Sequence, residues 1–300
     1  MKLDLTVAGH RFVIDILPAD WEVSDMLGNY LPFKTEEKKV GKSSPVFVLK
    51  VEDCPQWQRD SCFSPLYVVE SGPEEPRLDI YSNADGEWWA EMAPVGNMPP
   101  VAALSMNPDC CEGRLFVGSL RFGRFAADNA AMLMFAFCTS CKRTIEMHAS
   151  VIVKDEKAYM FIAKSGTGKS THSRMWLENI PGSRLLNDDN PIVRIFDDGS
   201  VKVFGSPWSG KTPCYRNESA DMGGIVRIRR SMENRLTGLG PVEAYAAVNS
   251  STSGLRHVEK MADGLYETIS QVALTVPCYV LDCRPDAQAA EVCYNGVCKN

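Results

Sequence analysis

The sequence predicts a mixed α/β protein with a Gly-rich strand-to-helix loop and a β-rich N-terminal region. Three observations carry that prediction. The C-terminal half alternates apolar strand-like runs with helical segments, the pattern of α/β architecture. The first hundred residues read instead as short strands separated by turns. Between these regions, Phe161–Thr171 runs from an apolar strand through a Gly-rich turn into a helix.

Taking the elements in order, Lys2–Ile14 and Val46–Val51 read as strands, with the Lys/Glu-rich loop Lys34–Ser44 between them. Leu78–Tyr81 and Trp88–Met92 flank the turn Asn83-Ala84-Asp85-Gly86 and form a hairpin. Asn97–Pro100 reads as loop. A buried helix spans Asp128 to about Lys142, capped by Asp128 or Asn129. Ala149–Val153 and Ala158–Ala163 pair as strands around a polar turn, Lys154–Lys157. A helix follows from Lys169 to Asn179 and stops before Pro181-Gly182. Arg184–Asn187, Ile192–Phe196, Val201–Phe204 and Gly224–Ile228 are strand-like. Asp197-Asp198-Gly199 makes a plain hairpin turn. His257–Leu274 has a helical pattern interrupted by Gly264, Cys278–Cys283 is a final strand, and Asp286 caps a last helix. The composition shift puts a boundary near residues 125–130, giving a β-rich region over 1–127 and an α/β domain over 128–300.

At 300 residues, 45% hydrophobic and 23% charged, the chain can bury a full core without disulfide or metal staples. A net charge of −6 argues against coating nucleic acid, which needs a basic surface. The N-terminus lacks the basic and apolar regions of a secretory signal. The longest apolar run, Ala130–Cys138, is under half the roughly 20 residues of a membrane span. Eleven cysteines, an odd number, are scattered along the whole chain, which reads as reduced thiols. A soluble cytoplasmic protein is expected, with neither nucleic acid nor membrane as partner.

The chemistry concentrates in the loop. From Ala163 it reads A-x-x-x-x-G-K-S, a Walker A pattern with Ala in the first position. Ser165, Gly166, Thr167, Gly168, Lys169, Ser170 and Thr171 form the nucleotide-binding set. Gly166 and Gly168 allow the tight turn that aims backbone N–H groups at phosphate oxygens. The helix starting at Lys169 adds its positive end. Lys169 supplies an ammonium to the β- and γ-phosphates, and Ser170 a hydroxyl to Mg²⁺. ATP with Mg²⁺ or Mn²⁺ is the implied cofactor pair. Downstream, Asp188 and Asp189 end a strand. One such carboxylate can hold metal while the other takes the proton of an attacking hydroxyl.

The stretch Met147-His148-Ala149-Ser150-Val151, a hairpin, AKSGTGKSTHS and LLNDD resembles the P-loop core of ATP-dependent phosphoenolpyruvate carboxykinase. It is equally similar to the catalytic domain of HPr kinase/phosphorylase. The segment Gly205-Ser206-Pro207-Trp208-Ser209-Gly210-Lys211 resembles one found after the acidic pair in HPr-kinase-related proteins of similar length. The resemblance implies a core of that type, an active-site His148 serving as metal ligand, and Asp188 and Asp189 as metal contact and general base. It also implies a homo-oligomer. The guanidinium-rich substrate site of the carboxykinases and the Gly-rich signature segment of HPr kinase are both missing.

The expected catalytic residues are therefore Asp189, Lys169, His148 and Lys211, and the expected metal contacts Ser170, Asp188 and His148. Lys211, beside Trp208, and Arg216 are the loop cations placed to neutralise a moving phosphoryl group. Arg227, Arg229 and Arg230 read as the solvent side of a strand, and Cys138-x-x-Cys141 as structural thiols. The function expected is Mg-dependent phosphoryl transfer from ATP to a hydroxyl on a protein, peptide or small molecule. A non-catalytic nucleotide sensor and a phosphoenolpyruvate-handling lyase are the rival readings.

Overall fold

In a computed structural model, the described residues are 1–36, 43–68, 72, 75–210, 212–256 and 258–298. The chain divides into two compact units, Met1–Thr139 and Ser140–Asn300, each with its own mixed sheet.

The first unit holds strands β1 (Lys2–Val7), β2 (His10–Ile16), β3 (Val48–Asp53), β4 (Ser64–Tyr67), β5 (Arg77–Ser82), β6 (Trp88–Ala93), β7 (Ala102–Met106) and β8 (Glu112–Val117). They form one sheet ordered β1-β2-β3-β8-β7-β6-β5-β4. The β2–β3 and β3–β8 contacts are parallel and the others antiparallel. The run expected as one strand, Lys2–Ile14, is a hairpin. Ala8 and Gly9 both have positive φ, 50° and 78°, the geometry of a two-residue turn, while hydrophobic alternation continues on either side. Helices α1 (Val23–Leu27) and α2 (Gly123–Thr139) complete the unit. The sequence points to Asp128 or Asn129 as the cap of α2, but the helix starts at Gly123 and both lie inside it; Asp128 accepts a hydrogen bond from Asn29 Nδ2 at 2.9 Å. Burial pushes its carboxyl up to about 6. The division after Thr139 places α2 with the first unit, twelve residues beyond the expected boundary at 127. Trp57, Trp89, Phe63 and Phe116 pack together around Tyr81 and Ala103.

The second unit contains β9 (Thr144–Glu146), β10 (Ala149–Lys154), β11 (Lys157–Ile162), α3 (Lys169–Asn179), β12 (Arg184–Asp189), β13 (Ile192–Ile195), β14 (Val201–Phe204), β15 (Ser219–Arg230), β16 (Arg235–Gly238), α4 (Pro241–Ser251), α5 (Glu259–Thr275), β17 (Cys278–Cys283) and α6 (Ala287–Cys298). Its main sheet path is β12-β10-β11-β15-β14-β13-β9, with β17 and β16 branching from the far end of β15. The β11–β15 and β15–β17 pairings are parallel. The β10–β11 turn places Asp155 and Glu156 at φ 49° and 61°, a two-residue turn built without glycine.

Two-residue periodicity sorts this sheet into two cores. Val151, Met160 and Ile225 join residues of α4 and α5 on one face. Ile152, Phe161, Val226 and Ile228 join α3 and α6 on the other. Trp176 of α3 is fully buried against Tyr159, Phe161 and Tyr294. Losing such a core Trp costs about 3–5 kcal/mol, so the helix behind the loop is rigidly seated. Gly264 sits at a close approach in α5: a Cβ there would lie 2.5 Å from the Ser140 carbonyl oxygen. The helical pattern therefore continues through it. Asp286 caps α6, its Oδ1 accepting the Ala289 N–H at 3.0 Å.

Among the described residues no helix is long and apolar enough to cross a membrane. None of the eleven cysteines forms a disulfide.

Candidate active site

Strand β11 delivers the chain to Ile162, and α3 begins at Lys169. The intervening loop turns through Gly166 at φ +72° and Gly168 at φ +126°. Both values belong to the region L side chains avoid. Thr167 N–H donates to the Lys164 carbonyl at 3.2 Å, closing the turn. Gly168 caps α3 without a side chain, so the first-turn N–H groups keep no intrahelical acceptor. Arg230 donates to the carbonyls of Gly166 and Thr167, bracing the loop from β15.

Lys169 is buried, and its Nζ lies 3.0 Å from His148 Nε2 and 3.4 Å from the Ala163 carbonyl oxygen. Burial drives its ammonium below the usual lysine range, while Asp189 and Asp188 push back the other way. That opposition places both carboxylates within electrostatic reach of the ammonium.

His148 reaches the cluster through strand register. It immediately precedes β10, whose Ala149 pairs with Asp189 and Ser150 with Asp188. His148 Nε2 consequently lies 3.3 Å from Asp189 Oδ1. One ring nitrogen thus faces an ammonium on one side and a carboxylate on the other. As a bare lone pair it accepts from Lys169; protonated, it donates to Asp189. The His148 backbone is pinned too, its N–H donating to the Ser251 carbonyl at the end of α4 at 2.7 Å.

The loop Gly205–Gly210 packs onto the acidic pair. Gly210 N–H donates to the Asp188 carbonyl at 2.7 Å, and Ser209 bridges to Asp189. Buried Asn187 donates through Nδ2 to Ser206 Oγ at 3.2 Å and to the Trp208 carbonyl at 3.3 Å. A Cβ on Gly210 would lie 3.2 Å from the Asp188 carbonyl oxygen and 3.3 Å from Asp189 Cβ. Only glycine permits that approach without displacing the acids.

The structure brings together Lys169, His148 and Asp189, with Asp188 in the next register position. Ser165, Gly166, Thr167, Gly168 and Thr171 form the loop and first turn as the sequence indicated, and Ser170 is exposed as the second residue of α3. Lys211 lies outside the described residues. Arg216 is exposed and faces Glu218 at 3.6 Å. His172 has a packing role: its Nε2 accepts the Trp176 indole N–H at 3.1 Å, and burial pulls it down to about 4.

The arginine trio departs from the sequence reading. Arg229 and Arg230 lie on opposite faces, Arg229 paired to Asp282 at 2.7 Å and Arg230 bound to the loop. Glu146 was also missed. It is almost fully buried, and burial, reinforced by the charge of Asp189, pushes its carboxyl up to about 8. Glu146 Oε2 has no hydrogen-bond partner among the described residues. Its place two residues before His148 was the only sequence signal.

Among the described residues no three His, Cys, Asp or Glu side chains are grouped to hold a metal by themselves. A hydroxyl at Ser170 and a carboxylate at Asp188 still suit Mg²⁺, which is commonly held by one or two protein oxygens together with substrate phosphates. His148, held between Lys169 and Asp189, is a poorer fit for that hard cation.

No protein-family model matches the chain, and no curated protein matches it. Among solved structures, the HPr(Ser) kinase/phosphatase from Coxiella burnetii aligns with 51% of this chain and 97% of its own, at 10% identity and a TM-score of 0.31. A likeness at that TM-score carries no inference about the chemistry of this chain.

Proposed function

We propose that the protein is an ATP-dependent phosphotransferase acting on a hydroxyl acceptor. The observation that carries this reading is the contact chain from Lys169 Nζ through His148 Nε2 to Asp189 Oδ1, set where the Gly-rich loop meets the α3 N-terminus. A phosphate-binding turn alone would serve a sensor. A carboxylate held beside the loop lysine supplies the base that transfer to an alcohol requires.

In this reading the triphosphate lies on the N–H groups of Gly166–Thr171. Lys169 leaves His148 for the β- and γ-oxygens, and Arg230 keeps the loop in shape. The nucleoside enters a cavity of about 280 Å³ on the α3–α6 face, lined by Gly168, Thr171, His172, Ile228, Arg230 and Arg284. Ser170 and Asp188 would hold Mg²⁺, which neutralises phosphate charge when bound. Asp189 takes the acceptor proton. The acceptor oxygen forms its bond to the γ-phosphorus as the bond from that phosphorus to the bridging oxygen breaks, leaving ADP. His148, released by Lys169, orients Asp189.

The test is ADP formation from Mg-ATP with N-acetyl-L-serine, D-glycerate or glycerol as acceptor. Wild type should form ADP, and Asp189→Asn should lose about 10²- to 10⁴-fold in rate while still binding Mg-ATP. Mg-ATP binding with no ADP from any acceptor would favour a nucleotide sensor instead.

A further inference from the structure

We infer that the acceptor carries an anionic group, a carboxylate or phosphate, close to its reacting hydroxyl, and that a basic pocket on the sheet face opposite the nucleoside cavity holds it. This rests on the phosphotransferase reading above.

Strand periodicity assigns the β15 side chains to two faces. Along β15, Val226 and Ile228 pack in the core with α3 and α6, and Arg230 follows them on that face at the nucleoside cavity. Ile225 packs in the core with α4 and α5, so Arg227 follows it onto the other face. There a second cavity, of about 310 Å³, is lined by His148, Lys164, Ser165, Arg227, Ser250 and Ser251. The loop itself divides the two cavities. Gly166–Gly168 face the first, and Ala163–Ser165 the second.

The second cavity is unbalanced in charge. None of its lining residues is acidic. Among the described residues, neither Lys164 nor Arg227 has an ion-pair partner, although Arg229, two residues on, is paired with Asp282. An arginine and a lysine converging on a concave site without a carboxylate form a receptor for one. The planar guanidinium suits carboxylate or phosphate oxygens in particular. His148, which contacts both Lys169 and Asp189, also lines this cavity. An acceptor anchored by its anion at Lys164 and Arg227 would therefore extend its hydroxyl toward the base. The volume suits an amino-acid-sized molecule or one peptide residue, not a folded surface.

The test is calorimetric titration of probe pairs differing in the anion, into protein saturated with a non-hydrolysable Mg-ATP analogue. The pairs are N-acetyl-L-serine against N-acetyl-L-serinamide, and glycerol 3-phosphate and D-glycerate against glycerol. At least one anionic probe should bind, and its neutral counterpart about tenfold or more weakly. Arg227→Gln and Lys164→Gln should each weaken that probe about tenfold and leave Mg-ATP affinity unchanged. Preference for the carboxylates or the phosphate identifies the anion. The proposal is overturned if no anionic probe binds wild type, if charged and neutral probes bind alike, or if Arg227→Gln weakens Mg-ATP instead. Binding of an anionic probe without ADP formation would preserve the pocket and remove the phosphotransferase reading. ADP formation with neutral acceptors alone would do the reverse.

Discussion

Replacing Lys169 with Met separates its two energetic roles. Met keeps a long apolar side chain, which suits a buried position, and removes the ammonium. In the nucleotide-free protein that ammonium is disfavoured by burial, as its depressed pKa shows. Its hydrogen bond goes to a histidine that is itself 41% exposed and can turn to water. Removing it should therefore leave stability unchanged or raise it. With nucleotide the sign reverses. A charge-assisted hydrogen bond contributes about 1.5–3 kcal/mol. At about 1.4 kcal/mol per factor of ten, Lys169→Met should weaken Mg-ATP binding by about 10- to 150-fold. Calorimetric titration gives the affinity and thermal unfolding the stability of the same sample. Wild-type affinity in Lys169→Met would show that the ammonium does not meet the phosphates. A large loss of stability would show it to be a structural counter-ion for Asp188 and Asp189.

Two further predictions follow from the packing. Gly210→Ala puts a methyl group 3.2–3.3 Å from the backbone of Asp188 and side chain of Asp189, so those atoms must shift by tenths of an ångström. ADP formation should fall about tenfold or more while Mg-ATP affinity holds, measured by steady-state rates against calorimetry. Asp128 gives a pH signature. Its folded value of about 6 lies above the ordinary 3.8, so the folded chain binds the extra proton between those values. Its contribution to stability is full below about pH 4 and is lost as pH rises to about 6. Asp128→Asn should abolish that slope in denaturant titrations across this range.

Elements specified by local pattern were legible in the sequence. Helix α3 and strand β17 coincide with their expected spans, because a Gly-bounded start and the apolar run Cys278–Leu281 are local signals. Helix α4 was missed, though Pro241 opens it and the Glu243 carboxylate accepts the Gly240 N–H at 2.8 Å. Strands β7 and β8 were also missed, since Ala102–Met106 and Glu112–Val117 carry little β-branched character. The site divides the same way. The loop residues are contiguous, so they can be read together. The approach of Gly210 to the acidic pair depends on a loop returning across twenty residues. The separate roles of Arg227, Arg229 and Arg230 depend on which face of β15 each occupies, and the depressed Lys169 depends on burial. These are properties of tertiary packing that no local pattern encodes.

The central claim is that Lys169, His148 and Asp189 surround the γ-phosphate of a nucleotide on the Gly166–Thr171 loop. The most direct measurement is a crystal structure of the full chain with a non-hydrolysable Mg-ATP analogue. The account predicts β- and γ-phosphates on the loop N–H groups, Lys169 Nζ moved from His148 to the γ-phosphate, and His148 Nε2 turned to Asp189. A nucleotide bound elsewhere, or Lys169 still on His148 with the loop occupied, would contradict it.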